Sequence, residues 1–256
     1  MKMPLCSLFA ASLLCLLSLT VSAADDVSLP PAADLEFQVD EYIKEFDKSL
    51  EDLAASKDFA ADANVLARDA NALTLVALAI GMSEDGKYKA AAPEIIKAAQ
   101  TVAAAKDLAA AKAGVAAVKA ALGKKSTDKL EWKKVAKMEP TMKLAVPRIN
   151  TGMTRYVRNE ATLKKGVPIV AGGTAALAAM AQGLKPNFDE TIKPGNEDDW
   201  VKLSRDFRDA ALKANAAVNA FGKGTGSFDD FKTALSAMKE SCEHCHAVFT
   251  EGVSVE

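Results

Sequence analysis

The chain predicts an all-α fold built as two tandem antiparallel four-helix bundles, and three observations lead there. Half of the 256 residues are hydrophobic, alanine is abundant and only 6% are aromatic, a composition that favours helix over sheet. Apolar residues recur at intervals of three and four, the period of an amphipathic helix and not of a strand. The two halves carry similar apolar seams, as a duplication would leave them. Residues 1–23 read as a secretory signal, 24–125 as a first bundle and 126–256 as a second.

In the signal, Lys2 precedes an apolar run from Leu8 to Leu19 and a small-residue cleavage site, Val21-Ser22-Ala23. The run is too short for a membrane span, so a periplasmic or secreted protein is expected. The first bundle opens on a helix with Leu35, Val39, Ile43, Phe46, Leu50 and Leu53 on one stripe and an acidic opposite face. A longer apolar helix follows from about Asp58 to Met82, then one from about Ala92 and one from Asp107 to Leu122. Gly123 to Asp128, GKKSTD, is a polar linker, after which Leu130-Glu131-Trp132 opens the second half.

The first helix of that half holds Met138 and Met142, four apart on one face, with Pro140 suited to its first turn. An apolar helix through Val167, Leu177 and Gly183 comes next. The polar segment from Gly183 to Asp199, with Pro186, Pro194 and Gly195, is a long loop, either a surface excursion or a flap. The following helix carries Trp200, Leu203, Phe207, Ala210, Ala214, Ala217 and Phe221 before Gly222, Gly224 and Gly226 end it. Ser227 caps the last helix, Asp229 and Asp230 suit its first turn, and Phe228, Phe231, Leu235, Met238, Cys242, Cys245 and Phe249 form its stripe.

Leu108, Ala111, Val115, Val118 and Leu122 repeat the spacing of Phe228, Phe231, Leu235, Met238 and Cys242. Lys125 and Ser126 then stand where the second cysteine and the histidine would be. Val65-Leu66, Leu75 and Gly81 likewise repeat Val167-Pro168, Leu177 and Gly183, and Met180 aligns with Leu78 as a core residue. The two correspondences have different offsets, which places an insertion in the second copy at the long loop.

Cys242, Cys245 and His246 form C-x-x-C-H, the attachment site of a c-type haem: two thiols add to porphyrin vinyl groups and the adjacent imidazole ligates the iron. Cys6 and Cys15 fall in the signal, so the mature chain keeps only the motif pair. His244, inside the motif, is expected to face solvent. A zinc knuckle needs a second ligand pair, and a thioredoxin-like dithiol sits at a helix N-terminus beside a sheet; neither is predicted. With His244 and His246 the only histidines, no Ser/His/Asp set is available, and no glycine-rich phosphate loop follows a strand, so no enzyme is predicted. A net charge of −2 argues against a nucleic-acid partner.

With Cys242-Glu243-His244-Cys245-His246-Ala247-Val248-Phe249 on the last of four helices, the stretch from Leu130 onward resembles the class II c-type cytochromes, the cytochrome c′ family and its low-spin relatives. Class I cytochromes differ in carrying the motif near the N-terminus. The resemblance implies one covalent haem c, with Cys242 and Cys245 as thioethers and His246 as axial ligand. It also implies either a methionine sixth ligand from the first helix, Met142 with Met138 as substitute, or a five-coordinate iron. The first form suits one-electron transport with redox partner proteins; the second suits binding of nitric oxide or another small gas. A homodimer, or a pseudo-dimer within the chain, is the matching assembly. Thr250 departs from the family, where a basic residue often follows the aromatic and meets a haem propionate.

Overall fold

The computed structural model describes residues 27–193 and 195–250, and within them all regular secondary structure is helical. The signal reading of Met1 to Ala23, with Cys6 and Cys15, lies outside the described residues, as do Pro194 and residues 251–256.

Helix α1 (Ala32–Ala55) buries Leu35, Val39, Tyr42, Phe46, Ser49 and Leu53. Ile43 and Leu50, expected on that stripe, are half-buried instead. The stripe turns because α1 serves three neighbours, α2, α4 and α6, and not one. The segment expected to be one helix from Asp58 is divided: Asp58 caps a single turn, Phe59–Asp62, and α2 (Asn64–Met82) follows with every residue from Asp69 to Ile80 buried. Helix α3 (Ala92–Ala103) carries Pro93 in its first turn, where a missing N–H costs nothing. Helix α4 (Leu108–Ala121) starts from Asp107, whose side chain accepts from Ala110 N–H at 2.8 Å.

An extended stretch leads to a helical rod in three parts: a turn at Met138–Pro140, a π-turn at Thr141–Ala145, and α5 (Val146–Thr154). Helix α6 (Glu160–Gly183) opens on an Asn159/Thr162 capping box. Helix α7 (Glu197–Gly222) is capped by Asn196, and α8 (Phe228–Phe249) by a Ser227/Asp230 box. The α8 stripe lies as its sequence reads, with Phe231, Met238 and Phe249 buried and Phe228, Leu235, Cys242 and Cys245 half-buried.

On α7 the expected stripe is turned by about one residue: Trp200, Ser204, Phe207, Ala211, Ala214 and Val218 are buried, while Leu203, Ala210, Ala217 and Phe221 are half-buried. Alanines on every face left the register undetermined, and polar contacts chose it. Arg208 donates to Gln182 Oε1 and Asn215 donates to Ala171 O and to Asp34 Oδ2, all at 2.9 Å. Buried polar groups with partners cost little, and those same groups without partners would cost much more.

The packing order differs between the halves. In the first, α1 packs on α2 and α4, α2 on α3, and α3 on α4, which closes a ring. In the second, α5 packs on α6, α6 on α7 and α7 on α8, but α5 and α8 scarcely touch. The start of the rod leans on α2 instead. Helices α2 and α6 are long and apolar, and both are mostly buried. They meet closely because one partner is glycine: a Cβ on Gly183 would lie 2.7 Å from Leu75 Cδ2. Asp69 of α2, 1% exposed, ties the halves by pairing with Arg68 at 2.8 Å and with Arg148 of α5 at 2.9 Å, and Arg148 also reaches Glu45 of α1 at 2.6 Å.

Candidate functional site

The gap between α5 and α8 is a cavity of about 320 Å³. Cys242, Cys245, His246 and Phe249 form its α8 wall, and Met138, Met142, Lys143, Val146 and Asn150 form the facing wall on the rod. Glu190, Thr191 and Ile192 close one side, and Trp200 and Phe207 of α7 form the floor. The five residues singled out by the sequence, Cys242, Cys245, His246, Met138 and Met142, are therefore brought to one cavity from positions about a hundred residues apart. His244 is exposed. Met180 and Met153 are buried in the core and do not line the cavity.

The α8 wall is held at its end by aromatic contacts. The Phe249 ring stands edge-on to Trp200 at 5.3 Å and to Phe188 at 6.4 Å, and Trp200 Nε1 donates to Lys185 O at 2.8 Å. Lys193 N–H donates to Phe249 O at 3.1 Å, so the long loop is stitched to the end of the motif helix. On the opposite side Glu190 Oε2 accepts from Met138 N–H at 2.7 Å while its other oxygen pairs with Lys134 at 2.6 Å. Burial alone would raise the Glu190 carboxyl, but Lys134 and the Met138 N–H outweigh it and hold the group below its usual range. Of the segment from Gly183 to Asp199, Glu190, Thr191 and Ile192 thus form a cavity wall, and 64%-exposed Ile192 stands at the rim.

Burial pushes the Cys242 thiol up to about 12, with Cys245 and Glu243 adding to the shift, and pushes Cys245 up to about 11. It also holds the His246 imidazole below its ordinary value. Two neutral thiols and a neutral imidazole therefore share the wall at neutral pH. His246 Nδ1 is buried without a hydrogen-bond partner, and both thiols are free of disulfides. A covalent haem fits this donor set: thioether formation needs two thiols on one helical face, iron needs an uncharged imidazole nitrogen, and most of the surrounding wall is alkyl, thioether and aromatic.

Met142 belongs to the π-turn, and Val146 N–H closes that turn on Thr141 O. Wider turns of this kind recur at functional sites because they alter which residues face a ligand. Pro140 sits in the first turn, where its missing N–H is harmless. Lys143, Asn150 and Glu190 line the cavity and were not singled out beforehand. The signal for the first two was present in the spacing of Glu139, Lys143, Val146 and Asn150 at intervals of four, three and four; Glu190 carried none. No family model, no curated protein and no solved structure matches this chain.

Proposed function

We propose that this chain is an exported c-type cytochrome related to the class II family, with one haem bound through Cys242 and Cys245 and its iron ligated by His246. The observation that carries the reading is the convergence of Cys242, Cys245 and His246 with Met138 and Met142 on one apolar cavity. The bound haem would supply a one-electron couple. The residues around it would set that couple: His246 as an iron ligand, a methionine thioether of the rod as a second, and Trp200, Phe207 and Phe249 by excluding water. We further divide the chain into a haem-free first bundle, 24–125, and a haem-carrying second bundle, 126–256. The packing of α1 and α2 on α6 supports the first as a built-in partner of the second.

The mass of the secreted protein tests this. It should exceed that of the processed polypeptide by one haem, and Cys242→Ser with Cys245→Ser should remove the whole increment; a bare chain in the wild type would overturn the proposal.

A second reading, binding of nitric oxide or another small gas at a free sixth position, is favoured by Met142 being only half-buried on the π-turn. Absorption spectra separate the two. Electron transfer with a Met142 ligand predicts a six-coordinate low-spin spectrum that Met142→Ala converts to high-spin while Met138→Ala does not. A wild type already high-spin favours the gas ligand.

A further inference from the structure

We infer that Lys143 and Asn150 are the partners of the acidic side chains of the bound tetrapyrrole, taking the part for which position 250 has no charge to offer. The inference rests on the haem reading above. A covalent haem brings two carboxylates with it, and these need donors at the edge of an otherwise apolar cavity.

The lining leaves few. Thr250 stands beside the motif, but its hydroxyl already donates to His246 O at 2.8 Å. The Thr191 hydroxyl donates to Phe188 O at 2.9 Å. Trp200 Nε1 is committed to Lys185 O at 2.8 Å. Glu139 and Glu190 are acceptors of the wrong sign. Among the described lining residues outside the attachment motif this leaves the Lys143 ammonium as the one lysine or arginine and the Asn150 carboxamide as the remaining neutral side-chain donor. They lie seven residues apart, two turns along one face of the rod.

Among the described residues Lys143 is held only by Glu139, Nζ to Oε1 at 3.0 Å, in an exposed pair four residues apart. Such pairs are weak and exchange readily for a stronger anion. The other nearby carboxylate, Glu190, is already matched by Lys134 at 2.6 Å and does not compete.

The test is the reduction potential of the holoprotein as a function of pH, with haem content checked by mass and folding by circular dichroism. Lys143→Gln removes a cation that opposes ferric charge, so the reduction equilibrium should fall about threefold. The acid step in the potential should also move to higher pH, because the haem carboxylate loses the charge that keeps it ionised. Lys143→Glu should enlarge both changes, Asn150→Ala should move the step without the full fall in potential, and Lys143→Arg should restore the wild-type profile. Lys133→Gln, at an exposed lysine outside the cavity, is the control. If haem is attached but Lys143→Gln tracks Lys133→Gln, this assignment is wrong and the haem reading stands. A protein that carries no haem overturns the reading beneath it.

Discussion

The two halves use similar apolar seams and end in different places, one a closed ring of helices and the other an open one. In the first half α1 lies against α4, with Lys119 of α4 paired to Asp47 of α1, and Leu122 packs on the core where the second half has Cys242. In the second half the rod bearing Met138 and Met142 leans away from α8 onto α2, and a loop fills the side. The connection from α6 to α7 holds Asn187, which donates to Ala136 O at 2.9 Å, and Glu190, which takes the Met138 N–H. These bonds pin the start of the rod outward. The cavity is therefore made by the α6–α7 connection and by the neighbouring half, and the cysteines only line what those elements hold open.

If the first half props the site open, cutting the tie between halves should have the largest effect on stability. Asp69→Ala would leave Arg68 and Arg148 without their shared carboxylate. Breaking a buried ion pair costs about 3–5 kcal/mol, and because Arg148 is 31% exposed the expected loss is nearer 2–3 kcal/mol. In a chain of this size that lowers the melting temperature by about 5–10 °C, measurable by calorimetry. Asp62→Ala, at an exposed carboxylate of the first half away from the join, should cost well under 1 kcal/mol. Equal losses would mean that the tie does not matter.

What the sequence disclosed follows the same division. The α8 stripe was legible because large apolar residues and two cysteines fall on one face at three- and four-residue spacing, with a capping residue ahead of them. Seams on α7 and α1 were less so. Alanine matches any register, and Ser204, Arg208, Asn215 and Ser49 are buried only because other helices pack on them or supply partners. The lean of the rod onto α2 left no local trace, since Asp69 and Arg148 are far apart in the chain and pair only in the folded protein. Glu190 was hidden for the same reason: its role depends on Met138 N–H and Lys134, both distant in the chain.

The thiols give a smaller effect confined to the second half, in protein produced without haem. Their folded values, about 12 for Cys242 and about 11 for Cys245, lie above the ordinary 9.0, so the unfolded chain releases these protons first as pH rises. Stability is then complete below about 9 and declines as pH climbs toward 11. His246, held low, acts oppositely, and its part fades as pH falls below the ordinary imidazole value. Urea midpoints at pH 8 and pH 10.5 should differ in the wild type, and most of that difference should vanish in Cys242→Ala with Cys245→Ala, leaving the smaller part that belongs to buried Tyr42, whose hydroxyl burial also holds above its ordinary value. An undiminished difference in that variant would assign the alkaline loss to other groups.

The smallest expected effect is the sharpest for the comparison. Leu122→Cys, Lys125→Cys and Ser126→His would write the attachment motif at the equivalent position of the first half. Helix α4 ends at Ala121, however, so the new thiols and imidazole would start at the helix cap and run into extended chain, where Ser126 N–H donates to Ala90 O at 2.8 Å. They would not share a helical face, and α1 packed on α4 leaves no gap beside them. On the proposed haem reading, the mass of this variant should still show a single haem increment, carried by Cys242 and Cys245. A second increment would mean that the motif alone recruits the cofactor and that an open ring is not needed. The wedge formed by Asn187, Glu190 and the loop would then not be a precondition of the proposed haem attachment.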